Sequence, residues 1–159
     1  SKQEIQKFAS ETMDRSDVFF IGRGTDYAVS IEGSLKLKEI SYIHSEAYAA
    51  GELKHGTISP IEKGTLVFGV LTQKGLVEKT ISNLEETASR GALIAAVASE
   101  NVSVESTGIK NVFRIPLTDM HFTPSLAVIP LQLFAYYLSV LRGNDVDKPR
   151  NLAKSVTVE

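Results

Sequence analysis

Short apolar segments alternate along this chain with longer helical ones, and this alternation restricts the fold more than any other feature. Four runs have the length and composition of buried strands: residues 17–22, 65–71, 92–98 and 111–116. Strands that are apolar on both faces occur in parallel sheets that helices cover on both sides. The pattern predicts an α/β fold of three layers, with a doubly wound parallel sheet in a flavodoxin-like strand order.

Helical segments surround these strands. They are predicted at residues 2–14, 27–43, 76–90 and 125–142. The third is amphipathic and is followed by Gly91, a common helix cap. The fourth is strongly apolar, which indicates packing on the sheet or on another subunit. Residues 44–48 are compatible with a short extended segment. Pro149 cannot continue the last helix, so the sequence divides into a domain at 1–142 and a tail at 143–159.

Composition excludes several classes of function. With 159 residues, of which 43% are hydrophobic, the chain can bury one ordinary core. Its net charge of -2 gives no reason to expect nucleic acid or an acidic membrane as a partner, and we expect no apolar run of membrane-spanning length. The absence of Cys fits a reducing, cytoplasmic location and excludes a thiolate nucleophile. Three His residues without ligand spacing predict no metal site.

The chain begins with Ser1 inside a helical pattern, which suggests that it starts within a longer protein.

The first candidate site is the turn of residues 22–26 (GRGTD) after the first strand. Its glycines would let backbone N–H groups approach an anion. Tyr27 breaks the dinucleotide fingerprint, and no P-loop lysine follows. The simpler interpretation, which the sequence alone favours, is a tight turn with Asp26 as the helix cap.

Glu32, Lys36 and Glu39 form the second candidate, because spacings of four and three place them on one helical stripe. If the stripe is partly buried, Glu39 could be tuned for acid–base chemistry. The alternative is a solvated row of ion pairs, worth about 0.3–0.5 kcal/mol each.

His55, in the loop 51–56 (GELKHG), is the third candidate, since a histidine titrates near neutral pH. A plain surface loop explains the same pattern.

The tail adds two further candidates, Arg150 and Lys154. A lysine in a dry pocket can lose its proton and form a Schiff base, whereas one in a free tail does not.

Two long segments carry a specific resemblance. Residues 32–56 read EGSLKLKEISYIHSEAYAAGELKHG, and residues 145–159 read DVDKPRNLAKSVTVE. They closely resemble the second sugar-isomerase (SIS) domain and the C-terminus of the glutamine–fructose-6-phosphate aminotransferase family. The resemblance implies an SIS domain that acts on fructose 6-phosphate and glucosamine 6-phosphate without a cofactor. It implies a homodimer, and a full-length chain whose glutaminase and first SIS domains are missing here. We therefore expect the isolated segment to be inactive.

The resemblance also implies roles for individual residues. Glu39 would move a proton between sugar carbons C1 and C2. His55 would act in ring opening, in the active site of the partner subunit, and Lys154 would form the Schiff base with the open-chain ketose. The remaining residues would assist. Lys36 would be an acid–base helper, Arg150 would stabilise negative charge, the backbone near Ala153 would line the sugar, and Glu32 would have a less defined role.

Two departures from the family pattern stand out. Thr57 follows Gly56 where many relatives have proline. The turn at residues 72–77 (TQKGLV) lacks two hydroxyls of the usual phosphate cradle, because Lys74 and Val77 replace them. A sugar-phosphate-sensing SIS module and a phosphorylated amino-sugar deglycase remain as alternatives. The joint presence of the three catalytic candidates argues against the sensor, and the tail favours the aminotransferase.

Overall fold

The computed structural model describes residues 2–104 and 107–152. Its elements in chain order are α1 (Lys2–Glu11), β1 (Asp17–Gly22), α2 (Thr25–Ser41), β2 (His44–Ala49), a 3₁₀ helix (Ala50–His55), β3 (Leu66–Leu71), α3 (Val77–Ala88), β4 (Leu93–Ser99), β5 (Asn111–Ile115) and α4 (Thr123–Leu141).

All five strands form one parallel sheet in the order β2-β1-β3-β4-β5. This is the flavodoxin-like order, so the predicted fold class is confirmed. The extended segment predicted at residues 44–48 forms β2, which pairs with β1 from Asp17 opposite His44 to Gly22 opposite Ala49. The order reverses between β1 and β3, which places the turns after these two strands side by side.

The sheet divides the hydrophobic core into two clusters of apolar side chains, one on each face. The sheet and the helices on its two faces form the predicted three layers. On one face α1, α2 and α4 cover Phe20 and Phe68, whose rings stack 5.2 Å apart, and Phe134 of α4 joins them. On the other face α3 and the 3₁₀ helix cover the sheet through Leu84 and Leu53, both fully buried.

Gly33 sets the distance between α2 and α4. A Cβ atom at this position would lie 2.6 Å from Cδ1 of Leu131 on α4 and 3.3 Å from a ring carbon of Phe20 on β1. Only a residue without a side chain therefore allows α2 to pack this closely on its neighbours. The helix that carries the acid–base stripe is held firmly against the core by this contact.

Helix boundaries differ from the sequence predictions by at most three residues. The main difference is at α2, which begins at Thr25 and ends at Ser41 instead of spanning 27–43. It ends there because Tyr42 adopts the left-handed conformation, with φ 61°. The opening helix also ends at Glu11 and not at residue 14.

Our expectation that no segment reaches membrane-spanning length is wrong for α4. This helix has 19 residues and is mostly apolar, so length and composition alone would allow it to span a membrane. Its buried face, which includes Leu131, Phe134 and Leu138, packs on α1, α2 and the sheet. Packing in the core accounts for the apolar residues on this face, whereas Ile129, Tyr136 and Val140 are exposed.

Candidate active site

The acid–base stripe on α2 forms as the spacing predicts. The Lys36 ammonium donates a hydrogen bond of 2.6 Å to Oε2 of Glu39 and lies 3.7 Å from Oε1 of Glu32. The side chains of Lys36 and Glu39 are 33% and 26% exposed. The stripe is therefore neither a freely solvated row nor a dry site, and its groups keep each other oriented.

The pKa of Lys36 is raised, chiefly by the hydrogen bond to Glu39, with weaker support from the charges of Glu39 and Glu32. Partial burial opposes this shift. Lys36 consequently keeps its proton at neutral pH, and Glu39 faces a fixed positive charge. A carboxylate beside a protonated amine is suited to move a proton while the amine donates a hydrogen bond to a neighbouring oxygen.

His55 ends the 3₁₀ helix that follows β2, in a segment that sequence reasoning treated as a loop. Leu53 is fully buried beneath it, and Lys54 forms a 3.4 Å ion pair with Glu86 of α3. Gly56 follows with φ 126°, a backbone conformation that favours glycine. The His55 side chain itself is exposed, so the segment is anchored while its imidazole is available to another molecule.

Arg23 braces this segment from the glycine-rich turn after β1. Its Nη2 donates a 2.9 Å hydrogen bond to Oδ1 of Asn83 on α3, and Asn83 is buried. A Cβ atom on Gly51 would lie 3.0 Å from Nη1 of Arg23, so the guanidinium packs directly on the 3₁₀ helix. No pattern in the sequence identified this function of the turn.

Glu39 and His55 lie at opposite edges of the sheet. Helix α2 starts beside the carboxyl end of β1 and runs back to the start of β2, which places Glu39 at the amino edge. The 3₁₀ helix follows the carboxyl end of β2. The α2 stripe therefore lies away from the carboxyl ends of the strands, where ligands of open parallel sheets usually bind, and one chain does not combine both groups.

Arg150 does lie at the same end of α2 as the stripe. Its backbone N–H donates a 2.9 Å hydrogen bond to the hydroxyl of Tyr42, and its guanidinium carbon lies 4.1 Å from the centre of the Tyr42 ring. Tyr42 follows Glu39 by three residues. The predicted residues Ala153 and Lys154 lie outside the residues that the structure describes.

Tyr42 is a functional candidate that sequence reasoning missed. A left-handed conformation costs a residue with a Cβ about 1–2 kcal/mol, and glycine or asparagine is the usual choice there. The rest of the structure supports it, because the Tyr42 N–H caps α2 through a 3.2 Å bond to the Lys38 carbonyl. An aromatic residue at such a position gives no helix-end signal in a sequence.

The turn after β3, in which the sequence resemblance implied an incomplete phosphate cradle, is filled by a side chain of this protein. The Asp26 carboxylate accepts hydrogen bonds from the N–H groups of Thr72 at 2.8 Å and Gln73 at 3.2 Å, and from the Thr72 hydroxyl. Asp26 is 3% exposed, and burial raises its pKa despite these donors. The prediction that Asp26 caps α2 is wrong, since Gly24 holds the cap position without a side-chain bond.

Comparison with known proteins gives consistent results. The sequence matches the SIS domain family over residues 13–142. It is 59% identical over 160 residues to the glutamine–fructose-6-phosphate aminotransferase [isomerizing] of Caldanaerobacter subterraneus, which covers 100% of this chain and 26% of that protein. The corresponding protein of Clostridium tetani is 57% identical over 155 residues, covering 98% of this chain and 26% of its own length.

A solved structure agrees with these matches. The C-terminal domain of glucosamine-fructose-6-phosphate aminotransferase from Francisella tularensis has a TM-score of 0.85 and 36% identity, over 92% of this chain and 42% of that one. This chain spans about a quarter of the length of the curated relatives that it matches. Sequence and fold together show that the chain belongs to the SIS domain family.

Proposed function

We propose that this chain is the second SIS domain of a glutamine–fructose-6-phosphate aminotransferase, which forms glucosamine 6-phosphate from fructose 6-phosphate and ammonia released from glutamine. The observation that carries the proposal is the Lys36–Glu39 pair, at 2.6 Å, at the end of α2 where Arg150 of the tail is also held. Similarity to aminotransferases over the whole chain supports the same function.

The reaction requires proton transfer between adjacent carbons. The Lys154 amine attacks the ketose carbonyl at C2 and forms a Schiff base with loss of water, and ammonia then replaces the lysine nitrogen. Glu39 takes a proton from C1 and returns it to C2, and the proton of the C1 hydroxyl passes to the C2 nitrogen, so the C2 imine becomes an amine and C1 becomes an aldehyde. Lys36 keeps its proton and donates to the developing oxyanion at C1, and Arg150 adds positive charge.

The Asp26 carboxylate argues that the substrate phosphate binds outside this domain. Phosphate would need the N–H groups of Thr72 and Gln73, which Asp26 already occupies with a negative charge. The proposed full-length protein supplies a phosphate site in its first SIS domain. A phosphate-sensing regulatory module has less support for the same reason, because its ligand site would be filled.

The position of His55 supports a homodimer. His55 is exposed at the carboxyl edge of the sheet, whereas Glu39 lies toward the amino edge. The 17 residues of α2 extend about 25 Å at 1.5 Å per residue. A histidine from a second subunit therefore completes the site. We place this dimer in the cytoplasm, where its sugar phosphates occur. The absence of cysteine agrees with this location, because disulfides are characteristic of proteins in oxidising compartments.

A chimera tests the proposal. This chain would replace the matching quarter of the Caldanaerobacter enzyme, to which it is 59% identical. We expect borohydride with fructose 6-phosphate to attach sugar to Lys154, and K154R to abolish both labelling and synthesis. E39Q should keep the labelling and lose synthesis by about a hundredfold or more. The control E11Q changes an exposed residue at the end of α1 and should be fully active.

Labelling of another lysine in the active chimera would reject the assignment of Lys154. Full synthesis by E39Q would reject Glu39 as the proton carrier. If the chimera is inactive although circular dichroism shows that it folds as well as the parent enzyme, this chain does not provide the isomerase function.

A further inference from the structure

We propose that Tyr42 is a positioning residue that holds the C-terminal tail against the end of α2, so that Lys154 is delivered to the neighbourhood of Glu39. This inference rests on the proposed function and assigns a role to a residue outside the catalytic groups named above. It is carried by contacts of Tyr42 with Arg150 and by the path of residues 142–150.

Tyr42 uses both parts of its side chain on Arg150. The hydroxyl oxygen accepts the Arg150 N–H at 2.9 Å, and the ring faces the guanidinium at 4.1 Å from its centre. The first contact fixes the backbone of the tail, and the second is a cation–π interaction. Together they fix the position and the direction of the chain at Arg150, since two contacts on different atoms restrict rotation.

The tail is guided to this point in steps. Gly143, with φ 76°, ends α4, and the N–H of Asn144 bonds the Ser139 carbonyl at 3.0 Å. The Asn144 side-chain amide then lies 3.4 Å from the carbonyl of Ser41, the last residue of α2. The chain therefore turns from α4 onto the carboxyl end of α2 before it reaches Tyr42.

A second turn shapes the rest of the path. Oδ1 of Asp145 accepts the N–H groups of Asp147 at 3.0 Å and Lys148 at 3.1 Å. Pro149 follows and fixes its own φ. Arg150 is thus presented to Tyr42 by a turn with its own hydrogen bonds, and the contact is the end of an ordered path.

The left-handed backbone of Tyr42 ends α2 directly before the contact with the tail. A residue in this conformation takes the chain out of the helical direction. Lys154 follows Arg150 by four positions, which limits the distance between their Cα atoms to about 14 Å. An anchor at Tyr42, three residues after Glu39, therefore keeps the Cα atom of Lys154 within that distance of Arg150 at the end of α2.

Trypsin tests the contact directly on this chain. Trypsin cleaves after Arg150, whereas Pro149 protects the bond after Lys148. We expect Y42L to accelerate cleavage after Arg150 by about tenfold, since both contacts are lost. Y42F should be intermediate, and cleavage after Lys110, which precedes β5, should not change. The control Y136L removes an exposed tyrosine from α4 and should match the wild type. Equal cleavage after Arg150 in Y42L and wild type would overturn the proposed contact.

The chimera tests the consequence for catalysis. We expect Y42L to slow borohydride labelling of Lys154 and to lower kcat for synthesis by about tenfold, with Y42F restoring most of both and glutamine hydrolysis unchanged. If trypsin shows a loosened tail while labelling and kcat stay normal, the positioning role is wrong. If wild-type Lys154 is never labelled, the proposed function fails, and the trypsin result still decides whether Tyr42 holds the tail.

Discussion

The carboxylate of Asp26, at the start of α2, accepts a 2.8 Å hydrogen bond from the backbone N–H of Thr72, in the turn after β3. This contact joins the two turns at the point where the strand order reverses, the usual ligand position in a doubly wound sheet. The protein closes this position with its own anion. In this chain the contact stabilises the two turns, and the chemistry that we propose lies at the other end of α2.

Replacing Asp26 by asparagine should destabilise the fold. An amide has one acceptor oxygen. If this oxygen takes the place of Oδ2 and accepts the N–H groups of Thr72 and Gln73, the NH₂ group faces the Thr72 hydroxyl, which then loses its carboxylate acceptor. We expect D26N to lower the free energy of unfolding by about 1–3 kcal/mol at pH 7, measured by urea denaturation. The control D14N changes an exposed carboxylate, and equal stability of the two variants would contradict the role of Asp26.

Asp26 should also give the stability a specific pH dependence. Burial raises its pKa above the ordinary value of 3.8, so the folded protein binds this proton more tightly than the unfolded chain. The stability contributed by Asp26 is therefore greatest at low pH and falls as pH rises from about 4 through the folded-state pKa.

The measurement is the difference in free energy of unfolding between wild type and D26N at several pH values. We expect this difference to decrease with rising pH, by at most about 1.4 kcal/mol per pH unit. A difference that increases with pH would mean that hydrogen bonds from Thr72 and Gln73 outweigh burial and hold the Asp26 pKa low.

Gly33→Ala should disturb the packing of α2 on α4. Although alanine favours a helix by about 1 kcal/mol over glycine, the new methyl group would lie 2.6 Å from Cδ1 of Leu131. Overpacking of this kind costs about 1–3 kcal/mol, so we expect a net loss of stability in thermal unfolding. In Gly75→Ala, the matched control, a Cβ would meet no atom within 4 Å among residues 2–104 and 107–152. G33A as stable as G75A would show that α4 can move.

The sequence predicted the fold because every layer has a periodic or compositional signal. Residues 17–22 and 65–71 are continuous apolar runs, and their pairing in a parallel sheet follows from the helix between them. The stripe of Glu32, Lys36 and Glu39 was equally visible, since helical spacing alone brings the three together.

Contacts between distant residues carried no such signal. Asp26 and Thr72 are 46 positions apart, and Tyr42 and Arg150 are 108 positions apart, so neither pair follows from local propensity. Asp26 looked like a helix cap because aspartate is one of the preferred residues at helix N-termini. The edge of the sheet at which Glu39 lies depends on the direction of α2 relative to the strands. The spacing of residues within a motif contains no information about this direction.

Lys36→Met should separate the catalytic and the structural value of the Lys36–Glu39 pair. The pair is partly exposed, so its loss should change the free energy of unfolding by no more than about 1 kcal/mol. The methionine keeps the apolar stem of the lysine but removes the ammonium that faces Glu39 and that we propose donates to the substrate oxygen. In the chimera we expect kcat for synthesis to fall by about a hundredfold, a typical effect of losing one donor to a developing oxyanion. The control K7M removes the exposed lysine of an i,i+4 pair on α1 and should leave both quantities unchanged. Normal synthesis by K36M would show that the ammonium only balances the charge of Glu39 and has no part in the reaction.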